Sequence, residues 1–224
     1  LHIDRSQRDR SYQVHLGGDY CNYGNLILDS DRPEESLAWS EKAISTLSAV
    51  YGQDHRLARA REYLRNSHSC RARAYDRLQK YAEAIRDWDR AIELSEKADQ
   101  PRFQVLRATS RSHTGHLGEA VTEVAELTKA PVVGAPGSPA WTAGQWYDFA
   151  CVYSVGSGNI ADKKQEYANR AMELLQQSVQ AGYNNAAHMM KDSDLDALRD
   201  REDFKKLIAE LEAKAKQPDP AKRP

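Results

Sequence analysis

Four times along this chain a small residue stands in the middle of a stretch with helical spacing, with larger side chains three or four positions to either side. Gly24 follows Tyr20 and Tyr23 and precedes Ile27; Ala72 lies between His68 and Tyr75, Ala108 between Gln104 and Arg111, and Ala150 between Trp146 and Tyr153. A small residue recurring in this way marks a place where two helices cross, because a large side chain there would hold the backbones apart. The first three copies are followed by a second series at helical spacing: Ser36, Ser40 and Ala43; then Ala84, Trp88 and Ala91; then Ala120, Val124 and Leu127. The chain is therefore expected to be a run of helical hairpins, with steps of 48, 36 and 42 residues between the small positions.

The punctuation between these segments sets the expected boundaries. A polar, Arg-rich lead-in covers 1–15, and four hairpins follow at about 16–50, 56–98, 101–130 and 141–182. Pro33 suits the first turn of a helix, and turns are expected at Gly52 and over Gly115–Gly118. The Pro- and Gly-rich stretch 131–140 can propagate neither element and is expected to be a loop. Residues 156–162 are expected to widen the fourth hairpin before a helix over 163–180, which Gly182 ends. A capping segment covers 183–216, its last helix carrying Phe204, Leu207, Ile208 and Leu211 at helical spacing. Residues 217–224 are expected to be a disordered tail. Short turns make neighbouring helices antiparallel, and about nine or ten of them are expected.

Composition removes several functional classes. Thirty-two Lys and Arg balance thirty-three Asp and Glu for a net charge of −1. A general nucleic-acid binder would carry a large basic excess. Mean hydropathy is −0.77, and no long apolar run occurs, so membrane insertion is not expected. Cys21, Cys70 and Cys151 are odd in number and scattered, which suits buried free thiols in a reducing, cytoplasmic setting.

The catalytic motifs of the common enzyme classes are missing or incomplete. The chain has no Gly-rich dinucleotide fingerprint, no phosphate loop and no His-Glu-x-x-His. Asp148-Phe149-Ala150 resembles a kinase metal-binding triplet but sits inside the Trp146–Tyr153 repeat helix. His113 and His116 straddle a turn with no third metal ligand nearby and are expected to be solvated. Asp192, Asp194 and Asp196 lack the central Gly and terminal Glu of a calcium loop, and Asp194 to Asp196 are expected to cap a short helix. No cofactor, metal site or catalytic residue is expected in this chain.

The aromatic, small-residue and Ala spacings resemble those of tetratricopeptide (TPR) repeats. That resemblance implies an all-α, right-handed superhelix of antiparallel hairpins with a C-terminal capping helix, and a protein-binding role. The turn Gly52-Gln53-Asp54-His55 is similar to that of kinesin-light-chain-like repeats, whose period is longer. Over 141–212, the run from Trp146 to Ser154, the run from Glu173 to Tyr183 and the Asp192–Asp200 tail resemble the C-terminal repeats of planctomycete-type bacterial serine/threonine protein kinases. Such a parent implies ATP, magnesium and phosphorylation of Ser or Thr, with every catalytic residue upstream of Leu1. A free-standing TPR scaffold or an oligomerisation element remains an alternative.

In TPR proteins the first helix of each hairpin lines a concave face. Here the residues that fall on that face are Asn22, Asn25 and Asp29, then Asn66, Ser69, Arg73 and Arg77, then Arg102, Thr109 and His113, and Tyr147 in the fourth hairpin. The clamp with which some TPR domains hold a peptide carboxylate is expected to be absent. Only Asn25 and Arg102 match it, with Cys21, Cys70 and Leu106 at its other positions. Residues 56–77 carry seven arginines against Glu62 and Asp76. They either pair with acids on neighbouring helices, or Arg73, Arg77 and Arg102 converge on an acidic or phosphorylated peptide whose backbone Asn25 and Asn66 hold.

Overall fold

The computed structural model describes residues 5–129 and 141–216. Among them the chain is all-α, with ten α-helices, two short 3-10 helices and no strand. Two compact units make it up, Leu1–Thr114 and Gly115–Pro224.

The first unit holds α1 (Arg5–Asp29), α2 (Pro33–Gln53), α3 (Ala58–Arg77), α4 (Tyr81–Glu93) and α5 (Gln100–Ser112). Each helix packs on the next, and α1 also lies against α3. Helices α1 and α3 stop in the same way. Asp31 and Gln79 adopt left-handed φ angles of 59° and 56°. Arg32 N donates to Ile27 O at 3.2 Å and Asp31 N to Leu28 O at 3.0 Å, while Lys80 N reaches Tyr75 O at 2.8 Å and Gln79 N reaches Asp76 O at 3.0 Å. These are the paired bonds of a Schellman stop, which satisfies the last carbonyls and turns the chain back.

Apolar residues fill the space between the helices. Val14 and Cys21 of α1, Ala43, Leu47 and Val50 of α2, and Ala60 and Leu64 of α3 form one cluster. Ala72, Ala84, Trp88, Ala91 and Phe103 form the next. Gly24, Ala72, Ala108 and Ala150 are all buried. The tightest approaches of α1 lie elsewhere, however. A Cβ at Gly17 would stand 2.5 Å from Leu47 Cγ and one at Gly18 2.6 Å from Tyr63 Cε2, against 3.3 Å from Ser40 Oγ at Gly24.

A buried carboxylate ties α3 to α4. Asp87 accepts 2.7 Å bonds from His68 Nδ1 and Arg71 Nε and a 2.8 Å bond from the second guanidinium nitrogen. Burial would raise its pKa, but the bonds and charges of His68 and Arg71 outweigh it and hold the carboxyl below its ordinary value.

The second unit holds α6 (Leu117–Lys129), α7 (Ala143–Asn159), α8 (Lys164–Gln180), α9 (Ala186–Lys191) and α10 (Glu202–Lys216). A capping box opens α7, Thr142 Oγ1 accepting from Gln145 N while Thr142 N donates to Gln145 Oε1. The 3-10 helix Ser193–Leu198 packs on α7 and buries Leu195 and Leu198. Helix α10 lies against α8 and α9 and buries Phe204, Leu207, Ile208 and Leu211.

Several boundaries differ from the sequence expectations. Helix α1 begins at Arg5, inside the expected lead-in, and α2 continues through Gly52 to Gln53. Helix α7 continues through Gly156 and Gly158, where an irregular stretch was expected. Tyr167 of α8 explains Gly156, since its Cδ2 would stand 3.0 Å from a Cβ there. The 3-10 helix is capped by Asp192, whose Oδ1 accepts from Asp194 N, and not by Asp194 or Asp196. Residues 131–140 and 217–224, expected as loop and disordered tail, lie outside the described residues.

Gly17→Ala is expected to cost about 2 kcal/mol by overpacking, and Leu47→Ala about 2–5 kcal/mol. The double variant should lose clearly less than the sum, because the truncation opens the space that the new methyl needs. Thermal unfolding of the four proteins checks this; additive losses would show that Leu47 does not carry the contact.

Candidate peptide-binding face

Helices α1 and α3 meet through Gly18 under Tyr63 and through Leu28 against Cys70 and Ala74. Ser36 of α2 closes this seam from behind, its hydroxyl donating to Gly24 O at 2.8 Å and lying 3.5 Å from Cys70 Sγ. Of the polar residues that the helical spacing singled out, Asn25 and Asp29 of α1 meet Arg73 of α3 across the seam. Asn22 is exposed, while Asn25, Asn66, Ser69 and Arg73 are half-buried and Arg77 exposed.

The arginines of this face are engaged within the fold. Arg73 donates to Asp29 Oδ1 at 3.0 Å and to Asn25 Oδ1 at 3.4 Å. Arg77 donates to Leu28 O, one of the last carbonyls of α1, and lies 3.5 Å from Asp31 Oδ1. The same holds along the rest of 56–77. Arg56 pairs with Asp54, Arg61 with Glu96, Arg65 with Asp99 and Arg71 with Asp87. Only Arg59 in this stretch lacks a hydrogen bond or ion pair among the described residues. Arg102 lies over the Phe103 ring at 4.4 Å, so the expected convergence of Arg73, Arg77 and Arg102 gives way to separate local partners. The basic excess of this stretch consists mostly of inter-helix ties.

The remaining candidates are distributed unequally. Asn25 Nδ2 donates to Cys21 O at 3.0 Å, and Asn66 Oδ1 accepts from Arg65 at 3.2 Å. Thr109 returns its hydroxyl to Val105 O of its own helix. His113, expected to be solvated, stacks on Tyr81 with centroids 4.5 Å apart. Tyr147 belongs to the second unit and is buried. It stacks on Tyr183 at 4.6 Å and donates to Asp192 Oδ2 at 2.7 Å, so its place is in packing and not on a peptide-binding face.

Three carboxyl groups have environments that their sequence context did not announce; Asp87 is one. Asp76, at the end of α3, accepts from Trp88 Nε1 at 3.0 Å and from Ser110 Oγ at 2.7 Å. Burial pushes its pKa up to about 6, against the pull of those two bonds and of the His113 charge. Asp148 of α7 is pushed up to about 7 by burial first and then by the charges of Asp192 and Asp194. The same surroundings drive the Cys151 thiol well above its usual range, and burial raises that of Cys21. Thiols held protonated in this way are poor nucleophiles.

The second hairpin, over residues 66–98, matches the Tetratricopeptide repeat family. That TPR match takes in the greater part of α3 and all of α4, with Ala72, Tyr75, Ala84, Trp88 and Ala91 inside it. Comparison with curated proteins finds no match. Among solved structures, one described as YrrB, a TPR protein with an unusual peptide-binding site, aligns at 18% identity and a TM-score of 0.35, covering 72% of this chain and 88% of that chain. At that score the fold rests on this chain's own hairpins. Among the described residues no helix is long and apolar enough to cross a membrane.

An acid whose folded pKa is raised contributes stability that is full below its unfolded value and is lost as pH rises through the folded value. The stability that neutral Asp148 lends at low pH should therefore be lost between about pH 4 and pH 7 and stay lost above it. Asp148→Asn is expected to be more stable than the parent by about 2 kcal/mol at pH 8 and to differ little from it at pH 4. Urea unfolding at the two pH values checks this; an equal change at both would show that burial of the charge is not the cause.

Proposed function

We propose that this chain is a non-catalytic protein-interaction module that takes an extended peptide, or an extended segment of a protein, along the α1–α3 face. The observation that carries this reading is the seam itself. Two neighbouring helices, one of them mostly within the TPR match, are held close by small residues; Asn25 and Arg73 meet across the seam, and Asn22, Asn66 and Ser69 stand at helical spacing from them. Side-chain amides and hydroxyls placed so can bond a peptide backbone without demanding one sequence. An acidic or phosphorylated segment reaching Arg73 and Arg77 would replace Asp29 and Asp31, which are 62% and 94% exposed in their side chains and so hold their partners weakly.

The likeness of 141–212 to planctomycete-type kinases supports a setting as the accessory part of a serine/threonine protein kinase. ATP- and magnesium-dependent chemistry would then belong to a catalytic domain of the parent. Three buried free cysteines suit a cytoplasmic protein. A second reading, a scaffold or oligomerisation element, is favoured by Tyr12, Tyr23 and Leu26. These residues are 63%, 43% and 60% exposed and share one face of α1.

A peptide array probed with the protein, followed by calorimetry on the retained sequences, is expected to select extended peptides with acidic or phosphorylated positions. Asn22→Ala/Asn66→Ala should weaken their binding about tenfold with an unchanged helical spectrum. Equal binding by the variant, or a preference for basic peptides, would overturn the assignment. Self-association on light scattering without peptide binding would favour the scaffold.

A further inference from the structure

A cleft of about 450 Å³ opens between the first half of α1 and the start of α3, at the far end of the same two helices from Arg73 and Arg77. Val14 and Leu57 are its apolar lining, and Arg10, His15 and Arg59 stand around it with Asp54. Its charges differ from those elsewhere on the face. Asp54 is committed to Arg56, which donates to it from Nε at 2.9 Å, from a second guanidinium nitrogen at 3.1 Å and from its backbone N at 3.0 Å. Those bonds hold the carboxyl down at about 2. Arg10 acts on Asp54 only through space, and neither Arg10 nor Arg59 has a hydrogen bond or ion pair among the described residues. Two guanidinium charges thus remain over an apolar floor after the fold has neutralised the others nearby. Helix α3 begins beside them with Leu57 at its cap position and no side-chain cap, so its first-turn N–H groups add donors of the same sign.

We propose that this cleft binds the phosphate of a phosphorylated Ser or Thr side chain in a peptide lying along the α1–α3 face. The proposal rests on the peptide-binding reading of that face and adds a phosphate anchor at Arg10 and Arg59, at the opposite end of the face from Arg73 and Arg77. A phosphate monoester carries close to two negative charges at neutral pH, which matches the two uncompensated guanidiniums; a carboxylate would leave one of them unmet. Arg recognises phosphate oxygens through paired N–H bonds, and Val14 and Leu57 can take the carbon that bears the phosphate.

The test is an amide-resolved NMR titration with three probes: inorganic phosphate, a short Ala-rich peptide carrying one phosphothreonine, and the same peptide unphosphorylated. Phosphate should move the Ala58, Arg59 and Ala60 amides saturably. The phosphopeptide should do so at least about tenfold more tightly, and the unphosphorylated peptide should not. Arg10→Gln/Arg59→Gln should lose at least about tenfold in phosphopeptide affinity while Arg86→Gln, at an exposed arginine of α4, keeps it. Shifts centred elsewhere, or undiminished affinity in Arg10→Gln/Arg59→Gln, would overturn the cleft; phosphate binding as tightly as the phosphopeptide would overturn the peptide as its source. If array-selected peptides still bind Arg10→Gln/Arg59→Gln as they bind the wild type, the cleft fails and the peptide-binding face stands. If Asn22→Ala/Asn66→Ala loses nothing, it is the face that fails.

Discussion

How near α1 can come to its neighbours decides everything else in the first unit. Leu47 rests on Gly17 and Tyr63 on Gly18, and neither contact survives a methyl group without a shift. That closeness brings α1 within reach of the side chains of α3. The bond from Arg73 to Asn25 and the bond from Arg77 to Leu28 O span the seam, and Ser36 of α2 closes it by bonding Gly24 O and meeting Cys70. Van der Waals contact at the glycines is therefore the precondition of the polar face. A wider separation would cost little in exposed ion pairs, but it would break the register in which the face is presented.

The fold also decides which charges remain for anything else. Residues 56–77 look like a basic patch when written out, yet six of the seven arginines answer acids on their own or neighbouring elements. The pairs differ in weight. Arg71 meets Asp87 in a buried network with His68, and losing either partner would strand a charge. Arg73 and Arg77 meet exposed acids and can exchange them. A basic run on a helical repeat is thus a poor guide to the potential of the assembled surface, and the residues that matter are those left over.

The hairpin pattern was legible because it rests on local rules. Small residues must stand where helices cross, and the 48-residue step from Gly24 to Ala72 recurs between Asp31 and Gln79, the two left-handed stops. Two kinds of feature were not legible. Gly156 and Gly158 read as a break, since glycine's freedom is visible in sequence while the Tyr167 ring that calls for a small residue is distant from it. The partners of Arg73, Arg77 and Arg102 depend on which acid comes within a few ångströms across the seam, which helical spacing does not carry. Tyr147 fell on a first helix like the others, but the tail segment that brings Asp192 to its hydroxyl removes it from the surface.

The three thiols have a use that comes from their seclusion. Cys21 and Cys70 lie at the α1–α3 seam of the first unit, and Cys151 lies among carboxylates in the second; all are buried and unpaired. A thiol-modifying reagent can reach them only when the surrounding hairpin opens, and the acidic surroundings of Cys151 suppress the reactive thiolate until it does. Labelling rates at these positions therefore act as internal clocks for partial unfolding. With no engineered probe, they report how often each unit breathes and whether an occupied surface slows one while leaving the other unchanged.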